Sequence, residues 1–140
     1  MATLTLKVVE PSGTIYEGEI EEVHIPTPTG TIAVLADHMP MVAPVKIGVL
    51  ELRDGSSIDH YAIGDGMLTI TEEGATLAVE AAEHADTIEG LHAERTLAEA
   101  REKLSRELTD EEIAYTEGEI ARNLARLEAF QRHKDYHVRH

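Results

Sequence analysis

Residues 75–100 read ATLAVEAAEHADTIEGLHAERTLAEA, and the hydrophobic period changes inside them. Residues 75–80 are short and strand-like. Beyond Ala85 the apolar positions recur every three or four residues, at Ala93, Leu97 and Ala100 and then Leu104 and Leu108, a stripe along one face of a helix. The chain therefore divides near Ala85, into a first domain over 1–85 and a second over 86–140.

Upstream of that switch, short apolar runs are separated by turn residues. Leu4, Leu6 and Val8 alternate with their neighbours, Pro11-Ser12-Gly13 turns the chain into 14–16, and further runs fall at 20–25, 31–35, 49–53, 57–63 and 67–71. Thr29-Gly30, Asp54-Gly55, Gly64-Asp65-Gly66 and Glu72-Glu73-Gly74 punctuate them. Gly64-Asp65-Gly66 reads as a tight turn that needs positive φ. Strands of this length at this spacing predict an antiparallel β-sandwich or flattened barrel.

Downstream, Asp86 or Thr87 can cap the first helix, with Glu89 in its first turn. Thr109-Asp-Glu-Glu112 reads as a capping box opening a second helix, whose stripe is Ile113, Ile120, Leu124 and Leu127. Only a residue or two separates the two helical patterns, so an antiparallel two-helix hairpin is expected. The fold class is α+β in sequence order, a sandwich followed by a hairpin. The hairpin seam is thin and rich in alanine, so each Leu→Ala truncation there should remove less than the roughly 2–5 kcal/mol of an enclosed site. Such a unit is only marginally held and can serve as a moving part.

Composition excludes several functions. The 140 residues carry a net charge of −15, a field that repels nucleic-acid backbones and anionic lipid. Cysteine is absent, so disulfides and thiolate zinc sites are excluded. No apolar run is long enough to insert into a membrane, and the first ten residues lack the pattern of a signal peptide, so a soluble chain is expected. Charge is uneven: from Glu119 onward Arg122, Arg126, Arg132, Lys134 and Arg139 outnumber Glu119, Glu128 and Asp135. A basic tail on an acidic body implies self-docking or an acidic partner.

No catalytic constellation is visible. Ser12, Ser56, Ser57 and Ser105 lie in no nucleophile context, and the glycine loops that cradle phosphates are missing. His133, His137 and His140 at helical spacing could bind zinc or nickel weakly, but a solvated terminus is the plainer reading and no metal centre is expected. His24, His60 and His84 stand singly in or near strands as partly exposed side chains. Asp37-His38-Met39-Pro40 reads as a turn: Asp37 tolerates the left-handed conformation, Pro40 fixes φ, and Met39 is offered for contact. That is a recognition feature, not a catalytic one.

Around this turn, GTIAVLADHMPMVAPVKIGVL at 30–50 resembles the G-E-x-G-I-L-P-G-H-x-P-L pattern of the epsilon subunit of F-type ATP synthase. VEPSGTIY at 9–16, GDGMLTI at 64–70 and LAVEAAEHA at 77–85 resemble further segments of that family in the same order. The resemblance implies a non-catalytic rotor subunit whose sandwich binds the gamma subunit and rests on the c-ring, peripheral to the cytoplasmic face of an energy-transducing membrane. It implies a c-ring-facing loop of Thr31, Asp37, His38 and Met39. It further implies a hairpin that extends toward the catalytic alpha and beta subunits and inhibits ATP hydrolysis, with Arg122, Arg126 and Arg132 as its arm. A regulatory ATP site of some members would fall on Glu83, Ile88, Glu89, His92, Ala93, Arg122 and Arg126; no other cofactor is implied. Thr31 stands where the family has glutamate, Ala36-Asp37 replaces Pro-Gly, and Glu89 and His92 replace aspartate and arginine. The alternative is a stand-alone adaptor of the same shape, holding a metal through its terminal histidines.

Overall fold

The structure, a computed structural model, describes residues 2–139. Ten strands precede two helices: β1 (Leu4–Glu10), β2 (Gly13–Ile20), β3 (Glu22–Thr27), β4 (Gly30–Leu35), β5 (Met41–Val45), β6 (Gly48–Asp54), β7 (Ser57–Ile63), β8 (Gly66–Thr71), β9 (Gly74–Val79), β10 (Ala82–His84), α1 (Gly90–Leu104) and α2 (Asp110–Arg139). They form two five-stranded sheets, ordered β2-β1-β9-β8-β5 and β10-β7-β6-β3-β4. Leu6, Val8, Val23, Ile25, Leu50, Leu68 and Leu77 meet between the sheets with no solvent exposure. The sandwich expected from the strand spacing is present.

Three details differ from the reading of the sequence. The apolar run at 20–25 is two strands, because the chain changes sheets at Glu21, whose amide donates to Arg53 O at 3.1 Å. Pairing is not antiparallel throughout: β1 runs parallel to β9, with Leu6 opposite Ala75 and Val8 opposite Leu77. Gly66 is required by close approach and not by positive φ, since a Cβ there would lie 2.0 Å from Ala78 O. Asp37 does adopt the left-handed conformation, at φ 67°.

The capping box forms as its spacing implies. The Glu112 amide donates to Thr109 Oγ1 at 3.2 Å, and the Thr109 amide donates to Glu112 Oε1 at 3.3 Å. The entry to α1 differs: a 3-10 turn at Ala85–Thr87 intervenes, capped by His84, whose Nδ1 accepts from the Asp86 amide. Glu89, not Asp86 or Thr87, occupies the N-cap of α1, and its side chain makes no capping bond. Five residues, 105–109, join the helices instead of one or two.

The α1 stripe buries Ala93, Leu97 and Ala100 but leaves Leu104 exposed. On α2 the expected stripe is displaced. Leu124 is exposed, and the buried positions are Thr116, Asn123, Ala125, Ala129 and His133. Small side chains let α2 lie close over the outer face of β6 and β7, where Ala125 and Ala129 pack with Val49, Ala62, Ala85 and Ile88. Those two strands are consequently covered on both faces, with Leu50 and Tyr61 turned into the sandwich.

Candidate functional site

Where α2 crosses the sandwich, apolar contact gives way to charge. Glu83 on β10 is opposite Ala62 on the sheet face that α2 covers. Arg126 meets its carboxylate with both arms of the guanidinium, Nε to Oε2 at 2.9 Å and Nη2 to Oε1 at 3.2 Å. The Arg126 Nη1 also donates to Asn123 Oδ1, and Asn123 Nδ2 donates to Glu119 O, which orients the fork from within the helix. A two-pronged pair of this kind fixes orientation as well as distance. The basic tail thus docks on the acidic body in this chain.

Beside the pair lies a cleft of about 230 Å³ between β7, β10 and α2, lined among others by Ile47, Asp65, Glu80, Glu83, Arg122 and Arg126. Arg122 is exposed and makes no ion pair among the described residues. Gly118, one turn earlier, leaves room for its guanidinium: a Cβ there would stand 3.2 Å from Nη1. The structure therefore gathers Glu83, Arg122 and Arg126. Ile88 and Ala93 are buried, in the α2 seam and in α1 respectively, while Glu89 and His92 are exposed at the start of α1 and do not line the cleft. Arg132 pairs with Glu128 on its own helix.

A second polar cluster lies further along α2, where β7 begins and β10 ends. His60 and His133 are buried, contrary to the exposed roles expected for both. Their Nδ1 atoms are 3.3 Å apart, and His60 Nε2 is 3.0 Å from Glu51 Oε1. His84 Nε2 is 3.1 Å from Asp59 Oδ1, and His133 Nε2 is 3.0 Å from Asp86 Oδ1. The ring of His137 stands 4.2 Å from that of His133. His140, the last of the three expected to line up, lies outside the described residues.

Burial acts most strongly on His60 and pushes its imidazole below the ordinary value; Glu51 opposes this, and the nearby His133 and Arg132 add to it. Burial raises Glu51, but the Arg53 hydrogen bond and charge, with those of His60, outweigh it and hold the carboxyl below the ordinary value. This cluster was missed because it joins residues remote in sequence. One signal was available: His133 continues the four-residue spacing of Ala125 and Ala129, which puts it on the buried side of α2.

In the turn between β4 and β5, Asp37, His38 and Met39 are exposed and Met39 retains 78% of its surface. His38 Nδ1 lies 2.8 Å from Met39 O, which pins the tip of the turn. Leu35 and Val42 are exposed beside it, while Thr31 opens β4 opposite Pro26.

The ATP synthase delta/epsilon chain β-sandwich domain family matches residues 3–85. An ATP synthase epsilon chain of Halalkalibacterium halodurans is 33% identical over 121 residues, covering 86% of this chain and 90% of that one. One from Cyanothece sp. is 33% identical over 130 residues, covering 91% and 94%. Among solved structures, a chain in the cryo-EM structure of the Euglena gracilis mitochondrial ATP synthase, OSCP/F1/c-ring in rotational state 1, shares the fold. Its TM-score is 0.76 at 22% identity, over 86% of this chain and 77% of that one. With the sandwich matched as a domain and the curated likeness running on through both helices, the chain belongs to the family of ATP synthase epsilon chains.

Proposed function

We propose that the chain is the non-catalytic epsilon subunit in the rotor stalk of a proton-translocating ATP synthase. Its sandwich binds gamma and rests on the c-ring, coupling ring rotation to the catalytic head, and it stays peripheral to the cytoplasmic face of the membrane through that complex. The observation that carries this reading is the family likeness across both sandwich and helices. The exposed apolar tip formed by Leu35, Met39 and Val42 suits a docking face toward the ring, with Asp37 and His38 beside it, while Thr31 stands at the other end of β4. Family membership removes the motive for the stand-alone adaptor.

The hairpin is the regulatory part of this proposal. In the docked arrangement described above, Arg126 is held by Glu83 and Arg122 is free to take an anion. A nucleotide triphosphate in the cleft would bridge Arg122 and Arg126, with ATP acting as a regulator and no cofactor required for the rotor role. Glu89 and His92 would have to turn inward to join it, so binding should be weaker than an arginine at position 92 would give. When the hairpin lifts, Arg126 is released from Glu83 and is carried with Arg122 and Arg132 to acidic surfaces of the catalytic alpha and beta subunits, and ATP hydrolysis slows.

Adding the chain to a catalytic complex containing the cognate gamma subunit tests both parts. Tight gamma binding with slowed hydrolysis is the expected result, and the paired substitution Arg122→Ala, Arg126→Ala should relieve inhibition while leaving gamma binding intact. Failure to bind gamma would overturn the rotor assignment; inhibition unaffected by the paired substitution would overturn the arm.

A further inference from the structure

We propose that Asp59, His84 and His133 form a binding site for a divalent transition-metal ion of the zinc type, which latches α2 to the sandwich. One donor comes from each of three elements, a carboxylate from β7, an imidazole from the end of β10 and an imidazole from α2. The donor atoms lie within 4.8 Å of one another. His84 Nε2 and Asp59 Oδ1, at 3.1 Å, are near the roughly 3.3 Å edge of a tetrahedron whose ligand bonds are about 2.0–2.1 Å. The rings of His84 and His133 stand 5.4 Å apart at 81°, edge to face and unstacked. Two imidazoles and one carboxylate favour zinc over magnesium or calcium, which seek oxygen alone.

The surrounding hydrogen bonds suit an ion as well. With His133 Nε2 on the metal, its Nδ1–H donates to His60 Nδ1, and His60 Nε2–H donates to Glu51, so the ligand is oriented by a relay that ends on a carboxylate. Asp86 Oδ1 now faces His133 Nε2, and its other oxygen is 3.7 Å from His84 Nδ1. When the ion displaces the proton from His133 Nε2, Asp86 is released to accept from His84 Nδ1. Each histidine ligand keeps one proton: that of His84 passes from Nε2 to Nδ1, that of His133 likewise from Nε2 to Nδ1, and the Asp86 amide that capped His84 turns to water. Each histidine ligand then has a carboxylate behind it.

Asp59 and His84 belong to the sandwich and His133 to α2, so an ion held by all three must be given up, in part, when α2 lifts. Free zinc at ten times its dissociation constant would raise the docked-to-lifted ratio about elevenfold. This regulatory consequence rests on the hairpin movement proposed above; the binding site does not.

The test is a titration of tag-free full-length chain with Zn²⁺ in competition with a chromophoric chelator, beside Asp59→Asn, His84→Gln, His137→Gln and His38→Gln variants. One ion per chain is expected, with affinity at least about tenfold weaker in Asp59→Asn and His84→Gln and unchanged in His38→Gln. Zn²⁺ should raise the thermal midpoint of the parent and not that of Asp59→Asn. Asp59 is about half exposed, at 47% of its side chain, so its shape-conserving variant remains folded and decides the matter even where His84→Gln does not. Absence of stoichiometric binding would overturn the proposal. So would binding that survives Asp59→Asn and His84→Gln but is lost in His137→Gln, which would put the ion on the helix terminus alone. Both results are read on the isolated chain, without gamma or the catalytic complex, so a failure here is distinct from a failure of the rotor assignment.

Discussion

The sandwich and the hairpin bury different things. Between the sheets, Leu6, Ile25, Leu50, Leu68 and Leu77 are fully enclosed, and each large side chain of that kind contributes about 1.5–3 kcal/mol on burial. The buried groups of α2 itself are Ala125, Ala129, Thr116, Asn123 and His133, which offer little apolar area and several hydrogen-bonding atoms, and its two alanines meet Val49, Ala62, Ala85 and Ile88. The first region is held by area and resists opening. The second is held by close fit, by the Glu83–Arg126 fork and by the histidine cluster, all of which can exchange for water or a ligand when the helix leaves.

The sharpest way to break that contrast is Leu50→Ala, expected to remove about 2–5 kcal/mol from the unfolding free energy in a denaturant titration. A loss below 1 kcal/mol, taken roughly as the lower edge of that class of effect, would mean the sheets repack freely. Next comes Ala129→Leu, which forces a larger side chain against β6 and β7 and should cost about 1–3 kcal/mol in docking. Hydrogen exchange should then quicken under α2 while the amides between β1 and β9 stay protected; cooperative loss of both would show the two regions to be one. Thr109→Ala removes the reciprocal cap of α2 and should cost about 1 kcal/mol, read as fraying of the first turn by NMR. Unchanged protection there would mean α1 alone holds that turn.

The smallest effect concerns acid. Glu51 is held below its ordinary value near 4.5, so it contributes stability that is present above that value and is lost as pH falls through the folded one. Removing the opposing guanidinium with Arg53→Gln leaves burial as the main influence and raises the carboxyl, so acid unfolding should begin at higher pH. Thermal midpoints recorded across the acid limb check this, and superimposable profiles for parent and variant would refute it.

Local chemistry made most of the architecture legible. The period switch after Ala85, the Thr109–Glu112 cap and the left-handed Asp37 are each decided by a few neighbouring residues. What escaped is decided at a distance. The break at Glu21 obeys a change of sheet that alternation cannot express, and the parallel pairing of β1 with β9 joins segments far apart in the chain. On α2, the largest apolar residues do not mark the buried side; Leu124 is exposed because the close approach to β6 and β7 selects alanine. Of the cleft beside α2, Glu83, Arg122 and Arg126 were nameable from the family pattern. Asp59, His60 and His84 gained a shared role only when His133 was brought against them.

The β1–β9 pairing also sets an order of events during synthesis. β1 is made first, yet one of its edges stays unsatisfied until β9 has emerged. That long closure is slow beside the local contacts of a helical hairpin, but it involves no residue beyond the sandwich. The sandwich can therefore be completed while α1 and α2 are still being made, and α2 meets a finished surface on which to settle. The hairpin movement proposed above would then repeat, in the mature protein, the last step of folding.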